Sequence, residues 1–212
     1  MKKNASVIWL LIFMLPLLSF DYGSLLNHPI PLLPNKTLDG KTIDENYFRG
    51  HVTIVSFMYI GCPGCMNEIT PLNKLKQEYA GNDKVQILCV ARNMKEQMVQ
   101  FNSNDTAKPD TNNLQNIGYG LIRKAMKADA IQYTIQPACN EGHGRTVNGN
   151  EIRIASECNT IKDVYGIETF PTTFFVDKKG IVREMHVGGP AIKDDEEFYN
   201  YYKKQVDSLL AE

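Results

Sequence analysis

The chain alternates apolar runs with amphipathic and polar stretches in an order that predicts layered α/β structure. His51 to Ile60 (HVTIVSFMYI) is almost wholly apolar, as a strand buried on both faces of a sheet should be. Val85 to Ala91 (VQILCVA) and Thr172 to Val176 (TTFFV) repeat that pattern and predict two more buried strands. Between the first two, Ile69, Leu72, Leu75 and Tyr79 recur at helical spacing up to Ala80-Gly81. Further helical segments are predicted from about Lys95 to Phe101, from Asn113 to Ala128, and up to Tyr165, where Gly166 stops the last. Phe198, Tyr202, Val206 and Leu209 then fall on one face of a closing helix.

The connections are read from turn chemistry. Leu25 to Pro34 is a proline-rich lead-in, and Thr37 to Ile43 carries an Asp-Gly turn between strand-like residues, an N-terminal β-hairpin extension. Asn102 to Asn113 is polar and holds Pro109, so it reads as a loop. Ile131 to Ile135 is a short strand leading into a Gly/Asn-rich stretch, Asn140 to Asn150. Asp177-Lys178-Lys179-Gly180 turns the chain into Ile181 to Val187, the hairpin partner of the strand before it. Strands and helices in this order predict an α/β fold with a central mixed β-sheet flanked by helices.

The remaining apolar run belongs to a different function. Ala5 to Phe20 is interrupted only by Ser6, Pro16 and Ser19 and follows Lys2 and Lys3, the pattern of an export signal. As a helix it would span about 24 Å, short of the roughly 30 Å hydrocarbon core of a bilayer. Residues 1–23 are therefore read as a signal peptide or an N-terminal membrane anchor, and 24–212 as one domain with an insertion at about 138–159. Either way the domain is exported, to the periplasm or the extracytoplasmic face of a membrane. The net charge of −1 gives no basic excess for releasing counterions from a phosphate backbone, so nucleic acid is not an expected partner.

An exported chain changes how its five cysteines are read. Cys89 lies in an apolar strand and is most simply a small core residue. Cys139 and Cys158 bracket the Gly/Asn-rich stretch, and an oxidising compartment suits a structural disulfide between them. Closing a loop of about twenty residues would stabilise the domain by roughly 3 kcal/mol. A zinc or copper site using Cys139, His143 and Cys158 is the competing reading, and it lacks a fourth ligand.

Cys62-Pro63-Gly64-Cys65 carries the chemistry. At a helix start, the first cysteine of such a pair lies where free N–H groups and the helix dipole favour a negative charge, which lowers its pKa. That thiolate attacks a disulfide, and the second cysteine then displaces the first. Cys62 is thus the nucleophile and Cys65 the resolving residue, while Pro63 suits the opening of a helix. Half a zinc site has the same spacing, but no second Cys-x-x-Cys or His-x-x-x-His accompanies it, so no metal is assigned.

Ser56 to Ile69 (SFMYIGCPGCMNEI) resembles the active-site stretch of exported thioredoxin-like reductases of the TlpA/ResA type, in the thioredoxin superfamily. Tyr165-Gly166-Ile167 followed by Thr169 to Asp177 (TFPTTFFVD) resembles the second signature of that family. The resemblance implies a thioredoxin fold, a cis proline at Pro171 packed beside the redox pair, and a substrate-binding edge including Pro63, Gly64, Thr169 and Phe170. It implies a partly buried Glu68 that tunes or relays protons for Cys65. It also implies disulfide exchange with exported proteins, often in cytochrome c maturation, with a membrane electron donor or acceptor and no cofactor beyond the cysteine pair. The sequence departs from the family in having Gly61 where thioredoxins commonly carry Trp, and in the insertion. A thiol-based metal-handling protein and a peroxiredoxin-like peroxidase on the same fold are the alternatives. The latter would want a threonine three residues before its cysteine, and Tyr59 and Cys62 stand at those places.

Overall fold

The computed structural model describes residues 25–103, 118–139, 143–147, 150–154, 158–188 and 195–212. The leader read at residues 1–23 lies outside them. Among the described residues no helix is long and apolar enough to cross a membrane.

A five-stranded mixed sheet organises the domain. In chain order its strands are β1 (Val52–Met58), β2 (Val85–Met94), β3 (Thr134–Cys139), β6 (Thr172–Val176) and β7 (Val182–Val187). They lie side by side as β3-β2-β1-β6-β7. β1, β2 and β3 run parallel, and β6 and β7 antiparallel to their neighbours. The helices are α1 (Glu45–Phe48), α2 (Pro63–Glu78), α3 (Lys95–Asn102), α4 (Tyr119–Ala125), α5 (Thr160–Tyr165) and α6 (Asp195–Ala211).

Both faces of the sheet are covered, which is why β1 and β6 are apolar without alternation and buried throughout. Val52, Ile54 and Met58 of β1, Ile87 and Ala91 of β2 and Phe175 of β6 pack with α2 and α6. Val55, Phe57, Leu88, Val90, Phe174 and Val176 point the other way, onto Leu33, Phe48, Ile161 and Tyr165. Phe198, Tyr202, Val206 and Leu209 are all buried on the first face, as their spacing predicts. This is the thioredoxin fold with a central mixed sheet and flanking helices.

Several boundaries differ from the sequence reading. The Asp-Gly turn is present, with Gly40 at φ +83° and Thr37 accepting and donating across to Lys41, but it closes a single bridge between Lys36 and Thr42 and not a strand hairpin. Asp39 and Lys41 are exposed, and the turn is tied to the sheet by one bond, from the Leu38 N–H to the Ile135 carbonyl at 2.9 Å. The strand predicted at Ile131 to Ile135 starts at Thr134 and runs to Cys139, through Pro137, which an edge strand tolerates. The helix predicted from Asn113 is described only from Tyr119 to Ala125, because residues 104–117 lie outside the described residues. The Gly/Asn-rich stretch is not simply a loop: β4 (His143–Val147) and β5 (Asn150–Ile154) pair antiparallel as a separate hairpin. α1, a single turn capped by Asp44, gives no periodic signal at four residues and is absent from the sequence reading.

Candidate active site

α2 begins at the pair. Cys62 is its N-cap, with Pro63 opening the first turn, and Cys62 Sγ accepts the backbone N–H of Cys65 at 3.2 Å. Cys62 and Cys65 are joined as a disulfide with their Cα atoms 5.2 Å apart. Both are nearly enclosed, at 4% and 1% exposure, while Pro63 is exposed and Gly64 half-buried beside them. The approach from β1 bends at Gly61, whose φ of +95° is in the left-handed region. A tryptophan on this backbone would be strained.

The second signature lies at the same end of the sheet. The Phe170–Pro171 peptide is cis. Thr172, the next residue, is the register partner of Phe57 near the end of β1, four residues before Gly61. The Phe170 ring meets that of Tyr59 edge-on at 5.4 Å, and Tyr59 is one of the exposed large apolar residues. The Thr169 carbonyl accepts the Thr172 hydroxyl at 2.7 Å, and the Pro171 carbonyl accepts the Gly188 N–H at 2.8 Å. Strand pairing thus brings Pro171, Phe170 and Thr169 to the end of the sheet where β1 leads into the cysteine pair. Phe170 also borders an open cleft whose wall is formed by Arg92, Cys158, Lys162, Ile167 and Glu168.

Glu68 is one turn beyond Cys65 on α2 and is 2% exposed. Its Oε2 accepts the Ser56 hydroxyl at 2.7 Å, and its Oε1 accepts Thr173 at 2.7 Å and Tyr202 at 2.5 Å. Burial drives its pKa above the ordinary carboxylate value; the three hydroxyls and the neighbouring charge of His186 oppose that without cancelling it. Ser56 and Thr173 are register partners, and the same row continues to Cys89 on β2 and His186 on β7. A polar row therefore crosses four strands beneath Glu68 and Tyr202. Cys89 is the small core residue expected, a free thiol enclosed in the sheet, and burial first, then the Glu68 carboxylate, pushes its pKa up.

Cys139 and Cys158 are joined, with Cα atoms 6.1 Å apart. Among the described residues no three His, Cys, Asp or Glu side chains gather as metal ligands would. The sequence reading missed Ser56, Thr173 and Tyr202 as members of the site, and Asn93, which accepts the Ile60 N–H at 2.8 Å. Ser56 and Thr173 are joined by strand register, and Tyr202 and Asn93 by tertiary packing, neither of which any spacing along the chain displays.

A thioredoxin fold with a Cys-x-x-Cys pair at the start of α2 and a cis proline at the same end of the sheet defines a thioredoxin-like protein. The chain belongs to the AhpC/TSA family, whose model matches residues 26–185. Among curated proteins it is 23% identical over 162 residues to the thioredoxin-like protein YneN of Bacillus subtilis, covering 76% of this chain and 71% of that one. In fold it is similar to a thiol-disulfide isomerase from Corynebacterium glutamicum, with a TM-score of 0.52 and 18% identity over 88% of this chain and 97% of that one. The thioredoxin domain of a thiol-disulfide oxidoreductase from Bacteroides vulgatus matches with a TM-score of 0.51 and 16% identity, over 85% of this chain and 97% of that domain.

Proposed function

We propose that the protein is a thiol–disulfide oxidoreductase that reduces disulfides of exported proteins through Cys62 and Cys65. The observation that carries this reading is Cys62 at the N-cap of α2, its sulfur receiving the Cys65 N–H. An anion there is stabilised by the helix terminus, which is what an attacking thiolate requires. Starting from the dithiol, the Cys62 thiolate attacks a substrate sulfur, forming a mixed disulfide and expelling one substrate thiolate, which takes up a proton. Cys65 then loses its proton and attacks Cys62 Sγ, expelling the second substrate thiolate and leaving the Cys62–Cys65 disulfide. Glu68, one turn beyond Cys65 on the same helix and more basic than an ordinary carboxylate, is suited to accept the Cys65 proton. The backbone of Thr169 and Phe170, with Pro171, Pro63 and Gly64 around the pair, would dock an extended substrate segment.

Each turnover leaves the pair oxidised, so a dithiol donor must return two electrons, and a membrane partner is the source proposed here. The reaction needs no cofactor beyond the cysteine pair. Export is supported by the apolar segment after Lys2 and Lys3, and cytochrome c maturation is one setting in which such a reductase acts. The test is dithiothreitol-driven reduction of insulin. Cys62→Ser should abolish turnover, and Cys65→Ser should accumulate a mixed disulfide detectable by mass spectrometry without reduction. Turnover retained in Cys62→Ser would sink the mechanism. An equilibrium potential near the thioredoxin value of roughly −270 mV fits a reductase, whereas one near roughly −120 mV would make the protein a disulfide donor.

A further inference from the structure

Contacts to both disulfide-bearing segments converge on one strand end. Arg92, Asn93 and Met94 are consecutive residues near the C-terminus of β2. Arg92 Nε donates to the Cys158 carbonyl at 3.2 Å. Met94 is the register partner of Cys139 and packs with Cys139 and Cys158 in a small buried cluster of their own. Asn93, between these two, serves the other disulfide. Its Oδ1 accepts the Ile60 N–H at 2.8 Å, and its Nδ2 donates to Gln97 Oε1 at 3.1 Å. Gln97 Oε1 also accepts the Met94 N–H at 3.0 Å, so the amide pair is locked to the start of α3. Asn93 and Gln97 are both buried, at 5% and 3% exposure.

Ile60 is the last residue before the Gly61 bend and stands two residues ahead of Cys62. The turn across Gly61 has one bond of its own, from the Cys62 N–H to the Tyr59 carbonyl at 3.3 Å, and the Asn93 contact is the side-chain bond that ties this turn to the end of β2. The pairing of β2 with β3 shifts register between Ala91 and Met94 and resumes at Met94 and Cys139. The Cys139–Cys158 bond and the Arg92 contact reinforce this irregular end.

We propose that Asn93 is a positioning residue for the Cys62–Cys65 pair, and that the Cys139–Cys158 disulfide acts on that pair through it. The second disulfide clamps the end of β2, Asn93 transmits the clamp to Ile60, and Ile60 sets the geometry at Cys62. The proposal deepens the redox function argued above and rests on it, except that the Ile60 amide can be followed independently of any activity.

The experiment is hydrogen exchange on the full domain, combined with a glutathione titration of the Cys62–Cys65 pair. Asn93→Ala should speed exchange of the Ile60 amide by about tenfold, the worth of one buried hydrogen bond, while the amides of β1 keep their rates. Cys139→Ala with Cys158→Ala should do the same, and so should Arg92→Met, which leaves both disulfides intact. Both Asn93→Ala and the double cysteine variant should shift the Cys62–Cys65 equilibrium constant by roughly threefold to tenfold, the latter about 30 mV. The triple variant should shift it no further than either alone, because the two act in series. An Ile60 amide that stays protected in the cysteine and Arg92 variants overturns the proposal. So does acceleration spread equally over β1, which would mean general destabilisation, or a triple-variant shift equal to the product of the separate ones. If the pair proves redox-inactive in insulin reduction while Ile60 behaves as stated, the function fails and the clamp stands.

Discussion

Thr173 donates its hydroxyl to Glu68 Oε1 at 2.7 Å, joining the strand that follows the cis proline to the helix that starts at Cys62. Ser56, beside Thr173 in the sheet, donates to the other oxygen. The carboxylate is thus held by the adjacent strands β1 and β6 and by Tyr202 of α6. Such a site fixes the carboxylate's position firmly while its burial penalises its charge.

That balance has a pH signature. The Glu68 pKa is raised in the folded protein, so the native state binds this proton more tightly than the unfolded chain does. Its contribution to stability is complete below the ordinary value of 4.5 and is lost as pH rises through the folded value. Glu68→Gln can keep all three hydroxyl contacts and does not titrate. Urea unfolding from pH 4 to 9 should therefore show stability falling with rising pH in the wild type and a flatter profile in Glu68→Gln. The same variant should slow resolution of the mixed disulfide on the order of a hundredfold, because Cys65 loses its proton acceptor. A steeper profile in the variant would refute the assignment.

Tyr202 is fully buried, and its hydroxyl serves Glu68. Tyr202→Phe removes one of the three donors that lower the Glu68 pKa without altering the aromatic packing against Phe175 and Phe198. It should cost about 1–2 kcal/mol in urea unfolding. It should also move the pH at which Glu68 gives up its proton upward, seen as an alkaline shift of the acid limb in the pH–rate profile of reduction. An unshifted limb with lowered stability would make Tyr202 a packing residue only.

How much of this was readable along the chain follows from the physics of each element. The buried strands announce themselves because β1, β2 and β6 are covered on both faces and must be apolar. The Cys62–Cys65 pair announces itself because redox chemistry and the helix start impose a local spacing. Glu68 lies one turn beyond Cys65 on the same helix, so resemblance reaches it. Ser56, Thr173 and Tyr202 lie twelve, 105 and 134 residues from Glu68, and only the folded sheet and α6 bring them to it. Asn93 is hidden for the same reason, since its partner Ile60 is 33 residues away on the neighbouring strand's exit. The β4–β5 hairpin escaped because glycine and asparagine signal a turn without showing that strands flank it.

Gly61 has φ +95° and nothing within 4 Å of where a Cβ would stand. Substitution there meets backbone strain without a clash. Gly61→Ala should therefore destabilise by about 1–2 kcal/mol, the cost of holding an L-residue in the left-handed region. Its thermal unfolding should drop accordingly with far-UV circular dichroism unchanged at low temperature. Gly61→Asn, which tolerates that region better, should recover part of the loss. Equal losses for alanine and asparagine would point away from backbone conformation as the cause.

Cys89 shares the polar row with Ser56 and is fully enclosed. Burial and the nearby Glu68 carboxylate both raise its thiol pKa, so it remains a thiol at any physiological pH. It is the free cysteine among the described residues, and a reactive one would scramble the two disulfides. Native protein treated with iodoacetamide at pH 8 should leave Cys89 unmodified for hours, while protein in 6 M guanidinium should react fully at that position. Cys89→Ala should cost about 1–2 kcal/mol for the lost core contacts and leave the insulin reduction rate within about twofold of wild type. Rapid labelling of Cys89 in the folded state would show that the sheet opens beneath Glu68, and the raised pKa of both groups would lose its cause.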